Sequence, residues 1–244
     1  MKQNKYPAFI LAIICLVLYV PSFSQQPTAH NNIISYTADP AQQDLYLYWK
    51  DDSGHILGSI GRLNEYLAGK NKKLVFAMNG GMYKTDYSPL GLFIQAQKTV
   101  RGVNTYSGDG NFYLKPNGVL YITTNHQAGI CTTGDFVNNG RVAYATQSGP
   151  MLVIDGAIHP AFKEGSANTN IRNGVGLLPG NKLVFAMSKE PINFYDFAAY
   201  FKSIGCRNAL YLDGFVSRTY LPEKNWIQTD GDFGVLIGVS VPKK

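Results

Sequence analysis

The chain has 244 residues, of which 16% are charged and 45% hydrophobic, and its formal net charge is +6. Charged residues fall below the ordinary quarter. With no lysine or arginine run and no basic stripe interleaved with aromatics, composition argues against a nucleic-acid partner and leaves room for a small anionic substrate.

The first segment reads as a secretory signal peptide covering residues 1–24. Lys2 and Lys5 give a basic start. Residues 8–20 are apolar but short for a membrane span, and Ser22 and Ser24 are small residues suited to cleavage after Ser24. An uncleaved anchor is the alternative. A lipoprotein cut at Cys15 is disfavoured by bulky Ile14. Without Lys2 and Lys5 the net charge falls to +4. Residues 25–244 then suffice for one domain with a full core, in the periplasm or outside the cell, with no stable membrane span after cleavage. Two cysteines remain, Cys131 and Cys206. An oxidising compartment permits their pairing, and spacing alone does not decide it.

Along the mature chain, residues 33–36 and 45–49 read as strands, and residues 59–69 as a helix with Ile60, Leu63 and Leu67 on one face. Strands follow at 74–78, 90–95, 111–114 and 119–122, with Pro116-Asn117-Gly118 as a hairpin turn between the last two. Four apolar runs are bounded by glycine. Residues 75–78 end at Asn79-Gly80-Gly81. Residues 151–154 lie between Ser148-Gly149-Pro150 and Asp155-Gly156. Residues 175–178 follow Arg172-Asn173-Gly174, and residues 209–212 end at Asp213-Gly214. After Pro191, Phe194, Phe197, Ala198, Phe201 and Ile204 share a helical face, with Asn193 as cap and Gly205 as stop. A strand at 235–241 closes the chain. About ten strands against two helices, with short links, indicate a single α+β domain with a largely antiparallel or mixed β-sheet and a few packed helices.

Polar groups gather where those strands end. Asp213 is a rigidly held carboxylate near solvent, suited to acid or base work, with Ser217 and Arg218 close behind. Asn79 with the Gly80 and Gly81 amides reads either as a concavity for phosphate oxygens or as a tight turn needing positive φ. Arg172, followed by Asn173, offers a planar fork to a phosphate, or is a solvated arginine at a strand start. Ser148, followed by Gly149, lacks the nucleophile-elbow pattern and suits hydrogen bonding. Tyr83, Tyr87, Tyr106 and Tyr195 lie near these clusters in sequence. The histidines have no zinc-ligand spacing; no cofactor is certain, and a divalent cation such as calcium stays open.

At these residues the chain resembles the phosphodiester glycosidase family, over about residues 33–241. The motifs are Phe76-Ala77-Met78-Asn79-Gly80-Gly81-Met82-Tyr83, Gly110-Asn111-Phe112-Tyr113-Leu114-Lys115-Pro116-Asn117-Gly118-Val119, Ala145-Thr146-Gln147-Ser148-Gly149-Pro150-Met151-Leu152-Val153, Asn170-Ile171-Arg172-Asn173-Gly174-Val175-Gly176 and Leu210-Tyr211-Leu212-Asp213-Gly214. The resemblance implies an exported hydrolase cleaving the glycosidic bond of a sugar-1-phosphodiester, as a small molecule or within a phosphorylated polysaccharide. It places Asn79, Ser148, Arg172 and Asp213 at the active site. In the mechanism that fits, Arg172 and the Gly80 and Gly81 amides hold the leaving phosphate, and Asp213 acts on water or on the anomeric carbon. Such chemistry normally wants a second carboxylate, for which Glu190 and Asp155 are candidates. Two other readings stay open: a non-catalytic phosphoglycan-binding protein, with Phe215 filling the pocket, and a phosphodiesterase cutting the P–O bond.

Overall fold

The computed structural model describes residues 31–213 and 216–243; the expected signal peptide, Cys15 and Phe215 lie outside the described residues. In chain order its regular elements are β1 (Ile33–Ala38), β2 (Asp44–Tyr48), α1 (Ile60–Gly69), β3 (Lys72–Asn79), β4 (Phe93–Gln95), β5 (Lys98–Arg101), β6 (Gly118–Thr123), β7 (Ala128–Thr132) and β8 (Val142–Ser148). They continue with β9 (Met151–Ile154), β10 (Ala157–Ile158), β11 (Asn173–Leu178), β12 (Lys182–Ser188), α2 (Phe194–Ser203), β13 (Asn208–Tyr211), β14 (Thr219–Leu221), β15 (Trp226–Ile227) and β16 (Leu236–Pro242).

The strands form three sheets, ordered β1-β12-β11-β13-β9-β10, β15-β14-β3-β16-β2 and β5-β4-β8-β6-β7. Neighbours in each run antiparallel. The α+β, largely antiparallel expectation therefore holds, with several two- to four-residue strands beyond the ten expected.

Alternation along each strand divides its side chains between two environments. Leu183, Phe185 and Met187 of β12 enter a core shared with Phe76 and Ile237 of the second sheet and Phe93 and Leu120 of the third. Val184 and Ala186 point the other way, onto the Phe197 and Phe201 stripe of α2. The second sheet behaves alike. Phe76 and Met78 face the shared core, while Leu74 and Ala77 meet Ile60, Leu63 and Leu67 of α1. A register shift between Val239 and Ser240 explains the three-residue gap from Leu74 to Ala77: Val239 pairs with Phe76 and Ser240 with Leu74, so the β3 strand carries one extra residue. The third sheet buries Ile94, Val119 and Ala145 outward, against Phe136. One core thus has three walls, each with its own outer cover.

Both helices follow the sequence pattern. Ser59 Oγ accepts from the Arg62 amide at 3.2 Å, and Asn193 Oδ1 accepts from the Asp196 amide at 2.8 Å, so both N-termini are capped by side chains. Gly205, at φ +88°, takes the left-handed turn after α2.

Two expectations are corrected. Residues 111–114 do not form a strand: Asn111–Tyr113 is a 3₁₀ turn with Phe112 buried in it. Pro116-Asn117-Gly118 accordingly leads from that turn into β6 and is not a hairpin loop. Cys131 and Cys206 are separate thiols, and burial pushes them up to about 11 and about 12. Among the described residues no helix is long and apolar enough to cross a membrane.

Candidate active site

The motif residues converge at one end of the shared core. Asn79 ends β3, Ser148 ends β8, Asn173 opens β11 and Asp213 follows β13. Antiparallel pairing causes this: Gly174 at the start of β11 lies opposite Tyr211 at the end of β13, and Asn79 lies opposite Leu236 at the start of β16. The three sheets therefore present strand ends, with their backbone polar groups, at a common place.

Two buried amides close it. Asn173 is fully buried, and its Nδ2 donates to the Asn79 carbonyl at 3.0 Å and to Asn79 Oδ1 at 2.9 Å. Asn173 Oδ1 accepts from the Asp213 amide at 2.8 Å. Asn79 Nδ2 donates to the Asp213 carbonyl at 2.9 Å, while its Oδ1 also accepts from the Arg218 amide at 2.9 Å. Ser148 Oγ donates to the Leu212 carbonyl, and Ser217 Oγ to the Asp213 carbonyl at 3.2 Å. The backbone on either side of Asp213 is thereby held by side chains from all three sheets.

Beside this network lies a cleft of about 390 Å³, whose lining includes Tyr83, Lys84, Asp109, Tyr113 and Asp213. Its volume suits a small ligand. Asp213, half-buried, is the sequence-predicted site residue that lines it. Burial first, and then the charges of Asp213 and Asp232, push the Tyr83 hydroxyl up to about 12, so Tyr83 stays a neutral donor beside an acid. Its hydroxyl donates to the Asp232 carbonyl at 2.6 Å, and its ring stacks on Tyr87 at 5.7 Å. Asp109 reaches the cleft from an irregular loop laid flat on Tyr113: a Cβ at Gly108 would stand 2.9 Å from the Tyr113 ring.

Other expected site residues stand elsewhere. Arg172 is 1% exposed, and its fork is spent on protein. Nε donates to the Ile192 carbonyl at 2.8 Å, Nη2 donates to the Asn168 carbonyl at 2.9 Å, and the guanidinium stacks 3.6 Å over Phe194. Burial draws its affinity for the proton below the ordinary value, with the Tyr211 hydroxyl opposing. Neither the solvated-arginine reading nor an open phosphate fork describes it; it ties residues 168–172 to the start of α2. Glu190 is exposed and accepts from Asn32 Nδ2 at 3.3 Å, away from the cleft. Asp155 occupies the β9–β10 hairpin at φ +47° and pairs with Arg207 at 3.0 Å, at the opposite end of the first sheet.

The glycines are spacers. Neither Gly80 nor Gly81 has a positive φ. The Gly80 amide donates to the Val235 carbonyl at 2.7 Å and so is not presented to a ligand. A Cβ at Gly81 would fall 2.2 Å from Thr146 Oγ1, and one at Gly149 would fall 2.6 Å from Asn117 Cβ. The first approach lets the second and third sheets meet, and the second lets neighbouring strand ends of the third sheet close on each other. Sequence reasoning missed Lys84 and Asp109, which sit in loops without periodicity; Asp109 directly precedes the Gly110-Asn111-Phe112 motif, the one available signal. Among the described residues no group of three or more His, Cys, Asp or Glu is placed to hold a metal ion.

Comparison with known proteins bears on the family and the fold. A family model described as phosphodiester glycosidase matches residues 72–238. The chain is 37% identical over 190 residues to YigE of Escherichia coli K12, described only as an uncharacterized protein, covering 77% of this chain and 73% of that one. Among solved structures, the zebrafish N-acetylglucosamine-1-phosphodiester alpha-N-acetylglucosaminidase catalytic domain, auto-inhibited by its pro-peptide, superposes with a TM-score of 0.51 at 17% identity, over 88% of this chain and 90% of that one. A Synechocystis protein superposes with a TM-score of 0.53 at 14% identity over 86% of this chain, which spans only 59% of that protein. At these identities the two structures establish a shared fold.

The amide network generates a test. Each buried polar group left unpaired costs about 1–3 kcal/mol. Asn173→Ala orphans several at once, so a loss of about 3 kcal/mol is expected in urea unfolding. Asn79→Ala removes one bond in common with it, that between Asn173 Nδ2 and Asn79 Oδ1, and frees the opposite face of the same backbone, so the double variant should lose less than the sum of the two. Additive losses would show that the amides act independently.

Proposed function

Since the chain belongs to the phosphodiester glycosidase family, we propose that it hydrolyses the glycosidic bond of a sugar-1-phosphodiester, with Asp213 as the catalytic carboxylate. One observation carries the reading: Asp213, fixed on both sides by buried amides, borders a cleft that also holds a cation, Lys84, and a second acid, Asp109.

Water attacks the anomeric carbon, Asp213 accepts its proton, and the bond from that carbon to the phosphate oxygen breaks. The phosphate leaves as a monoester, its charge growing from one negative to two. Lys84, which makes no ion pair among the described residues, holds that added charge. A phosphate carries its own negative charge well, so a strong general acid is not required. Asp109 takes the place in the cleft that Glu190 and Asp155 do not fill, stabilising positive charge on the sugar ring. Asn79, Asn173 and Ser148 are positioning residues, acting through the backbone around Asp213, and Arg172 acts one step further out, anchoring the strand start that carries Asn173.

We also propose that the enzyme works outside the cytoplasm, on the strength of the basic, apolar and small-residue pattern in residues 1–24. N-terminal sequencing of protein secreted by its own leader should begin at Gln25; a start at Met1 would refute export by cleavage.

On a synthetic aryl phosphodiester of a sugar, Asp213→Asn should lower kcat by about 10²- to 10⁴-fold while circular dichroism stays unchanged. In ¹⁸O-water the label should enter the sugar. Wild-type turnover by Asp213→Asn would remove its role, and label in the phosphate would show P–O cleavage instead.

A further inference from the structure

The cleft continues into a second hollow of about 400 Å³, and the two share Lys84, Leu90 and Tyr113. Their charges differ. The first has two acids and one cation in its lining, Asp109, Asp213 and Lys84. The second is lined by Lys84 and Arg101 with no acid. Like Lys84, Arg101 enters no ion pair among the described residues. An unpaired, half-buried guanidinium beside a second cation is suited to bidentate capture of phosphate.

This wall is firmly mounted. Arg101 ends β5, which pairs with β4, and Phe93 of β4 pairs with Thr146 of β8. Just beyond it, the Asn104 amide donates to Gln147 Oε1 at 2.9 Å, and Gln147 Nε2 donates to the Asn104 carbonyl at 2.8 Å. Gln147 is buried on β8, next to Ser148 of the amide network. The basic hollow and the Asp213 backbone thus hang from the same strand, which fixes their separation. Tyr106, 78% exposed, adds an aromatic face at the rim.

We infer that the second hollow is a subsite for a further phosphate, beyond the one whose bond to the sugar is cut, and that Arg101 reads it. The inference deepens the hydrolase reading and rests on it for the position of the sugar. With the sugar at Asp213 and the scissile phosphate at Lys84, one phosphodiester satisfies one cation. Arg101 is matched only by a leaving group that is itself anionic. The substrate is therefore a glycosyl phosphodiester with at least two phosphates, either a diphosphate or a polymer of glycosyl-phosphate repeats.

Calorimetric binding to the full chain tests this apart from hydrolysis. One arm compares UDP with UMP, neither of which has a glycosyl-phosphate bond to cut. The other compares a dimer and a monomer of a glycosyl-phosphate repeat, bound to Asp213→Asn. In at least one arm the two-phosphate ligand should bind about tenfold tighter. Arg101→Gln should abolish that preference, and Lys98→Gln, an equal charge loss on the same strand outside the hollow, should retain it. Preference in the first arm alone identifies a diphosphate, and in the second alone a polymer. No preference in either arm, preference surviving Arg101→Gln, or equal loss in Lys98→Gln would overturn the subsite. Failure of hydrolysis with the UDP preference intact would overturn the enzymatic reading and leave the phosphate site standing.

Discussion

The pairing of two buried amides, Asn79 and Asn173, is the constraint on which the active end of this protein depends. Three sheets share one core, and at that end each presents a strand end whose backbone polar groups lie in or beside the buried interior. Buried polar backbone must be paired. Asn79 comes from the second sheet, Asn173 from the first, and Ser148 from the third, and together they bond the backbone at Leu212, Asp213 and Arg218. An asparagine suits the task because its amide donates and accepts at once. A charged side chain in the same place would carry a desolvation cost that no opposite charge among these partners offsets.

A rigid floor with looser walls follows from that arrangement. The carboxylate stands on backbone held by three sheets, while Lys84, Asp109 and Tyr113 approach from loops and a short 3₁₀ turn. Binding residues on loops over a fixed scaffold can change without disturbing the fold. Asp213 and Asp109 line only the first hollow and Arg101 only the second, with Lys84 shared between them, and this order gives the groove a direction. Under the proposed chemistry, a sugar that becomes electron-poor and a leaving group that becomes electron-rich would have different ends at which to sit.

Much of the fold was legible because burial leaves periodic marks. The α2 stripe from Phe194 to Phe201 and its Asn193 cap followed from spacing alone, and so did the strands rich in Val, Leu and Phe. Residues 111–114 misled because one buried aromatic, Phe112, fits a strand and a 3₁₀ turn equally well. The site was legible as a set of positions rather than as roles. Asn79, Ser148, Asn173 and Asp213 do meet, as their place at strand ends suggested. Three of them face inward, and sequence cannot distinguish an amide aimed at a ligand from one aimed at a neighbouring turn. Arg172 shows the same limit: whether a guanidinium is presented or spent depends on Ile192, Asn168 and Phe194, which only folding brings to it. Asp109 and Lys84 left no periodic mark, since loops are shaped by contacts distant in sequence, such as Gly108 on Tyr113.

Hydrogen exchange at the Asp213 main-chain amide tests the floor most directly. A residue just past a strand, half-exposed, would ordinarily exchange quickly. Bonded to buried Asn173 Oδ1, it should exchange as slowly as Val175 and Leu210 in the core strands, through global unfolding. Exchange at Asp213 orders of magnitude faster than at those strands would mean that its backbone opens on its own, and that the amide pair does not hold the carboxylate in place.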